Sequence, residues 1–138
     1  MGTASHSIDI AADPAKVWEL VGDFHGLPRW NAGLAESRSE EGGKVRYLVR
    51  RAGGHVRERL IARDDAKRTI TYTIFESGLP IGRHQATMQV VGKGKESTVN
   101  WSCEFESKGP PEAELTTIFK QIFTGGLSNL KAMLENGT

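Results

Sequence analysis

The sequence predicts an α+β fold in which a curved antiparallel sheet of seven strands wraps one long C-terminal helix. Three observations predict it. Residues 34–106 run as strand after strand between short turn signals, EGG, AGG, DDAK, SGLPIG and GKGK. Residues 112–135 place Leu115, Ile118, Phe119, Ile122, Phe123, Leu127, Leu130, Met133 and Leu134 at helical spacing, a wide apolar stripe. Ahead of both, SHSIDIA alternates polar and apolar and then gives way to a helix started by proline. A chain of 138 residues suits one core, so a single domain is expected over 1–138.

The elements follow in order. Residues 5–11 suit a short edge strand. Asp13 then caps a helix with Pro14 at its first position, and Val17, Trp18, Leu20 and Val21 give that helix an apolar side that Gly22 ends. In the stretch GDFHGLPRWNAG, residues 27–30 form one more helical turn, which makes two short helices after the first strand. Strands follow near 34–41, 44–52, 55–64, 68–76, 83–92 and 96–106, and their short connections force antiparallel neighbours. Alternation puts Ile70, Tyr72 and Ile74 on one face, with Val99, Trp101, Cys103 and Phe105. The opposite positions hold threonine, asparagine, serine and glutamate, so one face is wet and the other covered. The long helix over 112–135 is the element that can cover it. Its Gly125-Gly126 pair costs about 1 kcal/mol per glycine against alanine; either close packing or a kink needs it, or it leaves room beside the helix for a ligand.

The totals exclude several functional classes. Eighteen lysines and arginines against seventeen acids give no general pull towards nucleic acid or anionic membranes. The arginines and lysines at 50, 51, 57, 59, 63, 67 and 68 lie among acids with no stacking platform, which argues against RNA or single-stranded DNA. No apolar stretch approaches the roughly 20 residues that cross a bilayer, so no membrane insertion is expected. One cysteine, Cys103, and an N-terminus without a basic start and apolar run fit a reducing cytoplasm. His6, His25 and His55 share no ligand geometry, so neither a metal nor another cofactor is expected. No serine or cysteine has a matched base, and the glycines of GKGK and EGG lack the strand-to-helix setting of a phosphate cradle.

In this order of elements, ADPAKVWELVGDFHGLPRW, KVRYL, RERLIARDD, TYTI, GLPIGRHQATMQV, VNWSCEF and GGLSNLKAML resemble the START/Bet v 1-like (SRPBCC) superfamily, and more narrowly its bacterial polyketide cyclase/dehydrase-like branch. The resemblance covers nearly the whole chain and implies a helix-grip fold with a deep, mostly apolar cavity between sheet and long helix, where the relatives bind ligand. Many relatives follow the tryptophan at position 30 with histidine and proline; here Asn31 and Ala32 stand there, so any role of that histidine is absent. The SGLP of Ser77–Pro80 matches the gate-loop signature of plant abscisic-acid receptors. By strand order it falls one hairpin later, at their latch loop, so the match is read as chance and the loop as bordering the entrance.

The expected binding residues follow from parity and from the resemblance together. Phe24 and Trp30 guard the mouth; Phe119, Ile122, Phe123 and Gly126 form the helix wall; Leu48, Leu60, Ile74, Ala86 and Met88 supply apolar wall from the strands. Glu58, Arg46, Tyr72, His84 and Trp101 are the polar or polar-tipped contacts, Tyr72 and Trp101 packing in the core or lining the cavity. Between Val56 and Leu60, Glu58 must be paired, hydrogen-bonded or protonated if buried, and Arg46 is its expected partner. A two-residue Gly53-Gly54 turn would pair Val49 with Glu58 and turn Arg46 outwards. A three-residue AGG loop with a bulge would pair Leu48 with Glu58 and turn Arg46 in, the arrangement that gives Glu58 a buried cation. The expected function is binding of a small, largely apolar molecule, lipid, polyketide or aromatic-like, by a carrier or sensor that is a monomer or homodimer. The alternative is a cyclase or dehydratase with Glu58 or His84 as catalytic proton carrier.

Overall fold

The chain starts at one edge of its sheet, crosses to the other edge and returns strand by strand. The computed structural model describes residues 1–136; the last two residues of the expected domain lie outside these. Strand β1 (Gly2–Ile10) leads into helix α1 (Pro14–Val21) and a 3₁₀ helix (Phe24–Arg29). Then come β2 (Leu34–Glu40), a 3₁₀ turn (Glu41–Gly43), β3 (Val45–Arg50), β4 (His55–Asp64), β5 (Thr69–Glu76), β6 (Ile81–Lys93), β7 (Glu96–Ser107) and helix α2 (Glu112–Glu135). The seven strands are ordered β1-β7-β6-β5-β4-β3-β2, with each neighbouring pair antiparallel. The α+β architecture and the long helix over 112–135 are as the periodicity predicts.

Local chemistry sets the first turn of the chain. Asp13 Oδ1 accepts the Ala15 N–H at 2.9 Å, and Gly22 N–H closes α1 on the Trp18 carbonyl at 2.8 Å. The next helical segment falls over Phe24–Arg29 as a 3₁₀ helix, earlier than the turn expected at 27–30. Pro28 has no N–H to give, and the bonds from Gly26 to Asp23 and from Trp30 to Leu27 span three residues, with Asn31 also reaching the Leu27 carbonyl at the end of the segment. β1 begins at Gly2 rather than at residue 5, because Thr3 and Ala4 continue the register to Glu104 and Cys103.

Bulges curve the sheet. β4 and β5 shift register between Arg57 and Glu58 and again between Leu60 and Ala62, which leaves Phe75 and Ile61 as the extra residues, both exposed. β6 shifts against β7 between Ile81 and His84. On the concave side Ile70, Tyr72, Val99, Trp101, Cys103 and Phe105 are buried. α2 closes this side with Leu115, Phe119, Phe123, Gly126, Leu127 and Leu130, each large side chain contributing about 1.5–3 kcal/mol by leaving water. The helix is tied to the first strand by Thr116 Oγ1 to the Thr3 carbonyl at 2.9 Å and Lys131 Nζ to the Asp9 carbonyl at 2.6 Å.

The outer face of β3 to β5 carries Tyr47 and Phe75, aromatics that the basic region was expected to lack. Each is covered by a guanidinium, Arg57 at 4.7 Å and Arg59 at 5.0 Å, and those arginines pair with Glu40, Glu76 and Glu41. No described helix is long and apolar enough to cross a membrane.

Candidate functional site

Between α2 and the strands lies a cavity of about 480 Å³, within the range of small-molecule sites. Its floor comes from β3 to β5 and β7, through Leu48, Val56, Tyr72, Ile74 and Trp101, and its roof from Phe119, Phe123, Gly125 and Gly126. Four segments surround its open side: residues 31–34, the β3–β4 hairpin at Arg50, Arg51 and Ala52, the β5–β6 loop at Ser77, Gly78 and Leu79, and Ile118 to Ile122 of α2. Ile118 and Ile122 are 37% and 40% exposed, so they form a lip rather than an inner wall.

The β3–β4 hairpin closes in neither of the two ways its glycines suggest. Arg50 N–H bonds the Gly54 carbonyl at 3.1 Å and Gly53 N–H the Arg50 carbonyl at 3.0 Å, with Arg51, Ala52 and Gly53 in the loop. Left-handed φ values of 104° and 84° at Gly53 and Gly54 permit this turn, which any β-carbon there would strain. The register slides two residues from the bulged alternative and sets Arg46 directly opposite Glu58, with Leu48 opposite Val56. Because a two-residue slide keeps side-chain parity, Arg46 points inwards and is 4% exposed.

Arg46 holds Glu58 through a single oxygen. Its Nε and Nη2 lie 2.7 and 2.6 Å from Glu58 Oε1, while Nη1 donates to the Phe24 carbonyl at 2.7 Å. The guanidinium carbon lies over the rings of Phe24 at 4.2 Å and Tyr72 at 4.8 Å. Glu58 lines the cavity, and no hydrogen bond of the described residues uses its Oε2. Burial raises the Glu58 carboxyl above its usual range, and Arg46 opposes that rise.

Tyr72 and His84 complete a polar cluster on neighbouring strands. The Tyr72 hydroxyl accepts the Trp101 indole N–H at 3.0 Å, so its own proton can be donated. Burial, with Glu58 nearby, moves this phenol well above its ordinary range. The β5–β6 ladder ends at the pair Tyr72 and Ala86, and beyond it the His84 side chain takes over a backbone role. His84 Nδ1 accepts the Ile74 N–H at 3.0 Å, so the neutral ring carries its proton on Nε2, the nitrogen left for a ligand. Burial lowers the imidazole to about 4.

Of the expected binding residues, Leu48, Glu58, Tyr72, Ile74, His84, Trp101, Phe119, Ile122, Phe123 and Gly126 line the cavity. Phe24, Trp30, Arg46, Leu60, Ala86 and Met88 do not. Phe24 lies behind Arg46, and Trp30 packs edge-on against Trp101 at 5.7 Å, so each buttresses a wall rather than guarding a mouth. Ala86 and Met88 pair with Cys103 and Trp101 in the core, and Leu60 packs beside it. From the stretch GDFHGLPRWNAG it is Leu27, Asn31, Ala32 and Gly33 that face the cavity.

The two helix glycines divide the readings between them. A β-carbon on Gly126 would lie 3.2 Å from both Trp30 and Trp101, so this glycine serves close packing; one on Gly125 would meet nothing within 4 Å. Sequence reasoning missed the rim residues Arg50 and Arg51, whose signal is only their place in a turn at one end of the sheet, and Gln121, a polar residue of α2 beside the apolar stripe. Buried Cys103, its thiol raised to about 12 by burial, is no nucleophile. Among the described residues no cluster of three or more metal-ligating side chains is present.

This geometry can be set beside known proteins. The family model described as polyketide cyclase / dehydrase and lipid transport matches residues 1–135. XoxI from Bacillus cereus is 32% identical, with a TM-score of 0.93 over 97% of this chain and 96% of that one. A structure from Bacillus thuringiensis is 30% identical, with a TM-score of 0.92 over 96% and 98%. A START superfamily protein from Mycobacterium smegmatis shares the fold at 15% identity, with a TM-score of 0.83 over the whole of both chains. No curated protein matches the sequence.

Proposed function

Since the chain belongs to the polyketide cyclase / dehydrase and lipid transport family, we propose that it binds one small, largely apolar molecule in the cavity under α2, as a carrier or sensor. The observation that carries this reading is the contrast inside the cavity. Its walls are aromatic and aliphatic, and one region offers an acceptor, Glu58 Oε2, beside two donors, Tyr72 O–H and His84 Nε2–H. Such a wall binds by apolar burial, and the three polar atoms orient one hydroxyl or carbonyl of the ligand.

A proton-transfer enzyme has less support. His84 already uses Nδ1 as an acceptor and is neutral near pH 7, so it is neither a ready base nor a charged acid. Glu58 is held by Arg46 through one oxygen and suits an anchor.

Native mass spectrometry of freshly purified protein tests the binding reading. A co-purifying molecule of a few hundred daltons is expected, and Gly125→Trp, which fills the cavity from an open position on α2, should abolish it with the fold retained. A protein that carries nothing, and whose Gly125→Trp variant takes up added apolar molecules as the parent does, would sink the reading.

A further inference from the structure

The mouth of the cavity carries two adjacent arginines with no ion pair among the described residues. On the strands β2 to β5 four surface arginines are matched, Arg38 to Glu36, Arg57 to Glu40 and Glu76, Arg59 to Glu41 and Arg63 to Asp65, while among the described residues Arg68 in the β4–β5 turn and Arg83 on β6 form no ion pair. Arg50 and Arg51, which line the cavity, have no acidic partner among the described residues. Glu58 is the one carboxylate of the described cavity lining, and Arg46 neutralises it from behind.

Arg51 is also held in place. Its backbone N–H bonds the Gly33 carbonyl and its Nε the Ala32 carbonyl, both at 3.0 Å. The Nε bond fixes the plane of the guanidinium and leaves its two terminal amino groups for another acceptor. An anchored, unneutralised guanidinium at the lip of an apolar cavity, with a second arginine beside it, is the chemistry that takes a carboxylate or similar anion in charge-assisted bonds.

Resting on the binding reading above, we infer that the ligand is an amphipathic anion whose charged group is held at the mouth by Arg50 and Arg51 while its apolar body runs inwards between Ile74 and Phe123. The volume of 480 Å³ equals roughly sixteen waters at about 30 Å³ each, enough for a ten-carbon acid.

The probes are decanoate and decan-1-ol, titrated calorimetrically at neutral pH into the parent protein and into Arg50→Gln/Arg51→Gln. The parent is expected to bind decanoate about tenfold more tightly than the alcohol, a gap that narrows as salt is raised. The double variant should lose that preference while binding decan-1-ol as before, which also shows that it folds. Equal affinity of the two probes in the parent, or a preference that survives in the variant, overturns the inference and leaves the cavity reading standing. Binding of neither probe overturns both.

Discussion

Arg46 and Glu58 face each other across β3 and β4, with two guanidinium nitrogens on one carboxylate oxygen of a residue that lines the cavity. The pair both supports the sheet and presents a polar atom. Removing the cation strands a buried charge, so Arg46→Met is expected to cost about 3–5 kcal/mol near neutral pH. Adding Glu58→Gln to it should return part of that loss. In Arg46→Met the Glu58 carboxyl rises further, so the stability it contributes is present at low pH and lost as pH rises through its folded value. Urea unfolding of the parent and both variants at several pH values measures this, and a loss in Arg46→Met that does not shrink on acidification would contradict it.

His84 predicts the opposite slope. Burial brings its folded value to about 4, below the ordinary 6.5 of imidazole, so its contribution is present above the unfolded value and lost as pH falls through the folded one. The difference amounts to about 3 kcal/mol at full protonation. Protonation would also destroy the acceptor that holds Ile74 N–H. His84→Phe should lose stability at neutral pH yet lack this acid-side fall. Parallel stability curves for parent and variant between neutrality and pH 4 would refute the assignment.

The adjacent helix glycines separate in sign. Gly125→Ala is expected to stabilise by about 1 kcal/mol through helix propensity alone, since its β-carbon meets nothing. Gly126→Ala should destabilise, because its methyl presses two buried tryptophans that are themselves packed together. Thermal melts of the two single variants suffice, and the same sign for both would count against the close approach.

Tyr72→Phe leaves the buried Trp101 N–H without its acceptor and is expected to cost about 1–3 kcal/mol. It also removes a donor from the cavity. Ligand affinity should therefore fall more in Tyr72→Phe than in Met88→Leu, a core residue that does not line the cavity. Comparable losses would place the ligand elsewhere.

Much of this was legible in the sequence because it follows from period. Alternation through Tyr72 and Trp101 identifies the covered face, and the apolar stripe from Leu115 to Leu130 identifies the cover. Parity likewise puts Glu58 and His84 inside. What alternation leaves open is depth: Met88 and Tyr72 share a face, yet only Tyr72 reaches open space, because core packing fills the region around Met88. Hairpin register was hidden for another reason. Two consecutive glycines allow several turns, and the one formed depends on bonds from Arg50 and Gly53. The lip arginines lie in that same turn, where no periodicity marks them.

The strand order also dictates a sequence of events. β1 has one neighbour, β7, and Ile8 meets Val99 only across ninety intervening positions. A chain emerging from its N-terminus therefore carries β1 as an unsatisfied template until nearly all of the sheet exists. Closing this long loop carries an entropic cost that the hairpin pairings do not, and in the finished chain Lys131 and Glu135 bond the backbone at Asp9 and Ala11.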